Sequence, residues 1–363
     1  MNTPNPLRFI RQDIQSMHAY AIQDATGMVK LDAMENPFAL PPALQAALGE
    51  RLGAVAINRY PGARIDDLKQ ALARYVDLPE GCGLMLGNGS DELISLLALA
   101  CDMPGASILA PVPGFVMYAM SAQLQGLAFH GVPLTADFEL DEPAMLAALR
   151  THQPAITYLA YPNNPTANLW DAGTIRRLIA EAASFGGLVV MDEAYQPFSS
   201  RSWLDEMRRD PVAHANVLLM RTLSKFGLAG VRLGYLLGAQ ALVDEVDKLR
   251  PPYNVSVLNA ECALFALEHD EVFAQQAAQI CEQRARLLAA LAQMPGVTAF
   301  PSEANMVLVR VPDATACFDR LKSQGILVKN VSKMHSLLAN CLRLTVGTPT
   351  ENAQLIAALH PSL

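Results

Sequence analysis

Five short, predominantly apolar runs, at 107–110, 155–160, 188–191, 217–220 and 234–237, alternate with stretches of helical periodicity at 91–101, 172–183 and 243–249. Apolar runs of that length, with no polar residue at every second position, read as strands buried on both faces. Strands and helices taking turns along one chain dictate an α/β fold, with a mostly parallel sheet between helices. Such a sheet collects its loops at the carboxyl ends of its strands, and ligands bind there.

The alternating pattern fills residues 43–250, the expected large domain. After Pro251-Pro252 come a long helical tract at 256–294, strands at 306–311 and 326–329, a helix at 314–324 between them, a strand at 341–346 and a closing helix from Thr350. That is a smaller α+β domain over 251–363, against which the irregular, proline-rich residues 1–42 are expected to lie. With 363 residues, 52% of them hydrophobic, the chain has apolar mass for more than one core. A net charge of −8 leaves no electrostatic footprint for nucleic acid or an anionic membrane. Six scattered cysteines without a CxxC pair fit a reduced, cytoplasmic protein better than a disulfide scaffold or a zinc site. Residues 1–13 lack an apolar leader, and no apolar run reaches the roughly 18 residues of a membrane helix.

Chemistry concentrates just after the strands. Lys225 follows the run at 217–220 inside Arg221-Thr222-Leu223-Ser224-Lys225-Phe226-Gly227, with Arg232 seven residues on. A lysine becomes a nucleophile toward carbonyls only when desolvation or a neighbouring cation lowers its pKa, and Arg232 could be that neighbour. Thr222 and Ser224 offer hydroxyls to a phosphate; read alone, the segment could equally be a solvated loop. Gly87-Asn88-Gly89-Ser90-Asp91-Glu92 opens an apolar helix whose free amides suit an anion, although Ser90 or Asp91 could simply cap it. No GxGxxG follows any of these strands, so a dinucleotide is not suggested. Asp192 ends the run at 188–191, where a buried carboxylate is placed to pair with a cation such as a protonated pyridine. Phe115, in Pro113-Gly114-Phe115-Val116-Met117-Tyr118, offers a flat ring or a core side chain. Tyr161-Pro162-Asn163-Asn164-Pro165-Thr166 presents asparagine amides, or an ordinary turn.

In this order, these residues resemble the fold-type-I pyridoxal-phosphate aminotransferases, the aspartate-aminotransferase-like fold with a seven-stranded sheet, and within them the histidinol-phosphate aminotransferases. The resemblance runs nearly end to end. It implies that Lys225 bonds the cofactor and moves the proton of the substrate α-carbon. Asp192 would pair with the pyridine nitrogen, Asn164 and Tyr195 with the ring hydroxyl, and Phe115 would stack on the ring. Gly89, Ser90 and Asp91 through their backbone, with Thr222, Ser224 and Arg232, would hold the phosphate. Leu31-Asp32-Ala33-Met34-Glu35-Asn36-Pro37 is similar to the family's Glu-Asn-Pro segment, placing Glu35 and Asn36 at the substrate. Asn58-Arg59-Tyr60-Pro61 is similar to its Arg-Tyr-Pro segment, in which the tyrosine reaches the partner subunit's phosphate; Tyr60 therefore implies a homodimer with shared sites. Cys341-Leu342-Arg343-Leu344-Thr345 looks like its arginine strand, with Tyr20 and Lys329 as further phosphate contacts.

The implied reaction is transamination of L-histidinol phosphate with 2-oxoglutarate, giving imidazole-acetol phosphate and L-glutamate. One planar guanidinium, Arg343, can pair bidentately with a phosphate monoester or a carboxylate. Departures bear on substrate preference: Lys329 stands where an arginine is common, Ala167 where glycine is common, and Asp32 and Met34 replace asparagines. A broad aromatic or phosphonate aminotransferase, and an amino-acid-phosphate decarboxylase, share the fold. A ligand-sensing regulator would carry an added DNA-binding segment.

Overall fold

The computed structural model describes residues 5–17 and 23–360. A seven-stranded sheet dominates it, built from β1 (Cys82–Gly87), β2 (Ser107–Val112), β3 (Ala128–Pro133), β4 (Ile156–Ala160), β5 (Leu188–Asp192), β6 (Val217–Thr222) and β7 (Gly234–Ala239) in the order β1-β7-β6-β5-β4-β2-β3. Strands β2 to β6 run parallel; β7 is antiparallel to both of its neighbours, β1 and β6.

Successive residues of a strand point to opposite faces, and here both faces are covered. Val217 and Leu219 of β6 join a core with Val189 and Met191, while Leu218 and Met220 join a second core with Tyr158, Val190 and Leu236. Full burial on both sides is why these strands read as continuous apolar runs. Among the helices are α1 (Ser90–Ala100), α2 (Met117–Gln125) and α3 (Ala172–Ser184). Leu93, Ile94 and Leu97 of α1 close one face; Ile175, Leu178 and Ile179 of α3 close the other. A buried ion pair, Arg221 to Glu193 at 2.8 Å, ties the ends of β5 and β6. It lies beside the residues that face the site.

The helical tract after Pro252 is two helices, α4 (Val257–Leu267) and α5 (Asp270–Leu291), parted at Glu268-His269. A four-stranded antiparallel sheet follows, in which β8 (Met306–Arg310) and β9 (Cys341–Thr345) are central. The single strand expected at 326–329 is split. Ile326–Leu327 pairs with Val29–Lys30, and Lys329–Asn330 pairs with β9. The last helix, α6 (Pro349–Leu359), begins with Pro at its first position and a capping box between Thr348 and Glu351.

The N-terminal residues follow the expectation only in part. Residues 29–36 pack on the C-terminal strands, with Thr345 N donating to Leu31 O at 3.0 Å. Arg11, however, donates to the carbonyls of Gln123 and Leu124 at the end of α2. The chain therefore crosses from one part of the molecule to the other before it reaches Pro42.

One close approach holds the sheet to α1. A Cβ on Gly234 would lie 2.8 Å from the Gly89 carbonyl carbon and 2.9 Å from Ser90 N, so β7 can meet this turn only as glycine. Gly234→Ala is expected to cost about 1–3 kcal/mol of stability through enforced backbone movement, read as a lower urea midpoint. An unchanged midpoint would show that the turn yields freely.

Candidate active site

The parallel strands β2, β4, β5 and β6 all end on the same side. Since β7 runs the other way, its start reaches that side too, with Gly234 opposite Thr222 and Gly87. Topology alone thus brings together loops distant in sequence. They surround a cavity of about 340 Å³ lined by Glu35, Ser90, Asp91, Phe115, Tyr118, Asn164, Asp192, Tyr195, Thr222, Ser224, Lys225 and Arg232, among others.

Lys225 occupies one wide helical turn, Ser224–Leu228, directly after β6. Its Nζ donates to Ala33 O at 3.1 Å and lies 5.9 Å from the Tyr195 ring centre. Burial, followed by the positive charges of Arg343 and Arg232, brings its pKa down to about 8. The sequence pointed to Arg232 as the perturbing cation. Desolvation is the larger cause, and Arg343 precedes Arg232.

At the far end of the cavity, helix α1 begins at Gly89 without a side-chain cap. Its first amides and dipole therefore form an anion seat. Ser90 and Asp91 do not cap the helix. Arg232 closes the seat, with Nη2 at 3.3 Å from Asp91 Oδ2 and Nη1 at 3.4 Å from Ser224 Oγ. Gly89 is required there: its φ is +80°, and a Cβ would meet Arg232 Nη2 at 2.7 Å. Thr222 Oγ1 accepts from Ser224 N at 3.1 Å and orders the start of the lysine turn.

Asp192 is buried at the end of β5. Its Oδ1 accepts from Ala194 N at 3.0 Å and its Oδ2 from the Tyr118 hydroxyl at 2.6 Å. Burial pushes its pKa up to about 6. Among the described residues no cation is ion-paired with it. A buried carboxylate in that condition is suited to a cationic ligand. Burial also raises the Tyr195 hydroxyl, which therefore stays a donor. Phe115 presents its ring to the cavity and packs edge-on to Tyr118, with centroids 5.6 Å apart.

Arg343, in the middle of β9, donates to Asn164 Oδ1 at 2.8 Å and to Asp32 O at 2.7 Å. It joins both parts of the molecule to the cavity wall. Glu35 lines the cavity and is paired with Lys30, whose ammonium also lies 3.4 Å from Asp32.

Five of the described residues singled out in the sequence are not among those lining the cavity: Gly89 and Arg343, which sit directly behind its wall, and Asn36, Lys329 and Tyr60. The Asn36 amide bonds Gln276 Oε1 at 2.8 Å and Phe226 O at 3.4 Å, beneath the lysine turn. Lys329 is the register neighbour of Arg343 on the adjoining strand. Tyr60 is 74% exposed and stacked on Tyr253 at 4.2 Å. Tyr20 lies outside the described residues. The sequence reading gave no role to Tyr118, Ala33 or Met34. For Tyr118 a signal existed, since its spacing of three from Phe115 at a helix entrance puts both rings on one side. For the backbone carbonyl of Ala33 there was none.

The class I and II aminotransferase family matches residues 26–359. The histidinol-phosphate aminotransferase of Methylibium petroleiphilum is 70% identical over 98% of this chain and 95% of its own. That of Polaromonas naphthalenivorans is 68% identical over 99% and 98%. Among solved structures, the histidinol-phosphate aminotransferase of Sinorhizobium meliloti in complex with pyridoxal-5'-phosphate superposes with a TM-score of 0.83 at 26% identity, covering 98% of this chain and 97% of its own. The chain belongs to the class I and II aminotransferases, and within them to the histidinol-phosphate aminotransferases.

Proposed function

We propose that this cavity exchanges an amino group reversibly between L-histidinol phosphate and 2-oxoglutarate, giving imidazole-acetol phosphate and L-glutamate, with pyridoxal 5'-phosphate as its cofactor. The observation that carries the reading is Lys225, a buried amine brought to about 8 among anion-binding groups at converging strand ends. The names of the relatives, and the cofactor held by the Sinorhizobium enzyme, agree with it.

The residues present fit that cofactor. Asp192 offers a buried anion to the ring nitrogen, and Phe115 a face for the ring. Asn164 and Tyr195 stand for the ring hydroxyl. The uncapped start of α1 at Gly89, Ser90 and Asp91, with Thr222, Ser224 and Arg232, suits a phosphate. Bound there, pyridoxal phosphate supplies the electron sink that stabilises negative charge at the substrate α-carbon.

The chain supplies orientation and proton transfer. The neutral Lys225 amine would take the proton from the substrate α-carbon and deliver it to the cofactor C4′, and the reverse in the other half-reaction. Arg343 pairs with the distal anion of either substrate, phosphate or carboxylate, and so aims the α-carbon at Lys225. Lys329, beside Arg343, adds a second positive charge, and Glu35 faces the substrate from the cavity wall. Asn36 acts by holding the lysine turn rather than by touching substrate. The catalytic frame is a large domain, 43–250; the small domain, 251–363 with residues 1–42, whose Arg11 reaches back to the large domain, brings Arg343 and Glu35. The working unit is a homodimer, in which exposed Tyr60 reaches the partner subunit's phosphate. Six unpaired cysteines suit the reduced cytoplasm, and no helix among the described residues is long and apolar enough to cross a membrane.

Lys225→Ala is expected to remove the visible absorbance band of bound cofactor while leaving a folded protein. Label retained by the variant after borohydride treatment and dialysis would refute the lysine assignment. Because the neutral amine is the reactive form, the rate at which apoenzyme takes up pyridoxal phosphate should rise to a midpoint near pH 8, falling by about tenfold per unit below it. A midpoint above 10 would mean that the amine is solvated. Arg343→Ala should slow both half-reactions by about a hundredfold, whereas loss in only one would contradict a shared anion contact.

A further inference from the structure

We propose that Tyr118 is a positioning residue for the cofactor: its buried phenol donates to Asp192 and holds that carboxylate, ionised and fixed in orientation, toward the ring nitrogen. The proposal rests on the reading of Asp192 as the partner of that nitrogen.

A carboxylate turns freely unless both oxygens are held. Here Oδ1 is held by Ala194 N at 3.0 Å and Oδ2 by the Tyr118 hydroxyl at 2.6 Å, a short charge-assisted contact. The phenol is itself immobilised. Tyr118 is 2% exposed, stacked on Tyr158 with centroids 4.2 Å apart and planes within 6°, and set edge-on against Phe115. The ring that would face the cofactor and the hydroxyl that fixes its carboxylate thus come from one helix entrance. A shift of α2 would move both.

The electrostatics give the contact its consequence. Burial, Asp91 at the start of α1 and Glu193, the residue just after β5, all disfavour charge on Asp192. The buried hydroxyls of Tyr158 and Tyr195 are the other titratable groups nearby, and neither bonds it. Tyr118 and the Ala194 amide are what favour the anion. Burial and Asp192 hold the Tyr118 hydroxyl far above its ordinary range, so it donates at any working pH. Without that donor the carboxyl takes a proton more readily. It then donates to the ring nitrogen instead of accepting from it, and the ring loses its positive charge.

Nitrogen-15 resonances of ring-labelled pyridoxal phosphate bound to wild type, Tyr118→Phe, Asp192→Asn and Tyr158→Phe test this, together with cofactor Kd for each apoenzyme. Tyr118→Phe should move the resonance toward the neutral-pyridine value, in the direction of Asp192→Asn, and weaken binding by about tenfold or more. Tyr158→Phe, which removes an equally buried hydroxyl that does not touch Asp192, should change neither. A Tyr118→Phe resonance and Kd matching wild type would overturn the role of Tyr118 alone. A ring nitrogen still protonated in Asp192→Asn would overturn the reading of Asp192 beneath it. The double variant, which leaves no buried carboxylate unsatisfied, should match Asp192→Asn; a further loss in it would place the action of Tyr118 elsewhere.

Discussion

An ammonium group withdrawn from water and set between guanidinium groups prefers to lose its proton, and much of the architecture keeps Lys225 in that position. Lowering its pKa from 10.5 to about 8 corresponds to roughly 3 kcal/mol of preference for the neutral amine. The folded protein bears that strain. Between pH 8 and 10.5 the unfolded chain holds a proton that the folded chain has released, so this group's contribution to stability rises with pH across that window. Below pH 8 the cost is fully present. Packing elsewhere must offset it, and the doubly covered sheet is where that packing lies.

Asp192 is held under the opposite strain, a carboxyl made reluctant to ionise by burial. One site thus contains an amine and a carboxylate whose charged forms are both penalised by burial, so that a ligand with charge of the right sign at each end is favoured. A ring with a positive nitrogen at one end and a phosphate at the other relieves both strains and fills the uncapped start of α1. Sheet topology makes this possible. Because β7 runs antiparallel between β1 and β6, Gly89 meets Arg232 and Thr222 although it lies far from both in sequence. Arg343 then ties the second sheet to Asn164, so that the proposed cofactor and substrate contacts share one frame.

Much of this was legible from the residues. The five interior strands betrayed themselves because burial on both faces leaves only apolar side chains. The two strands that escaped, β1 and β3, are the two edges of the sheet, where one neighbour is missing. Glycines in β1 and exposed positions in β3 erase the apolar run. Lys225, Asp192 and Phe115, which line the cavity, could be picked out in the sequence because each follows a readable strand. The segment of Asn36 resembles a substrate loop, and nothing in residue identity shows that its amide reaches Gln276 and Phe226 beneath the lysine turn. Contacts made by the backbone carbonyls of Ala33 and Asp32 leave no trace in residue identity. The relative weights of burial and charge at Lys225 likewise needed the packed structure, since sequence spacing shows a nearby Arg232 but not the more distant Arg343.

In the proposed reaction one cavity, with Lys225 in its wall and Arg343 behind it, exchanges the amino group of a phosphate monoester. Rapid mixing of the cofactor-loaded protein with L-histidinol phosphate, phenylalanine or aspartate in separate single turnovers tests it most directly. L-histidinol phosphate should convert the cofactor rapidly to its pyridoxamine form, and the other two should do so slowly. Equal or faster conversion by phenylalanine would mean that the distal anion does not set the geometry, and would contradict it.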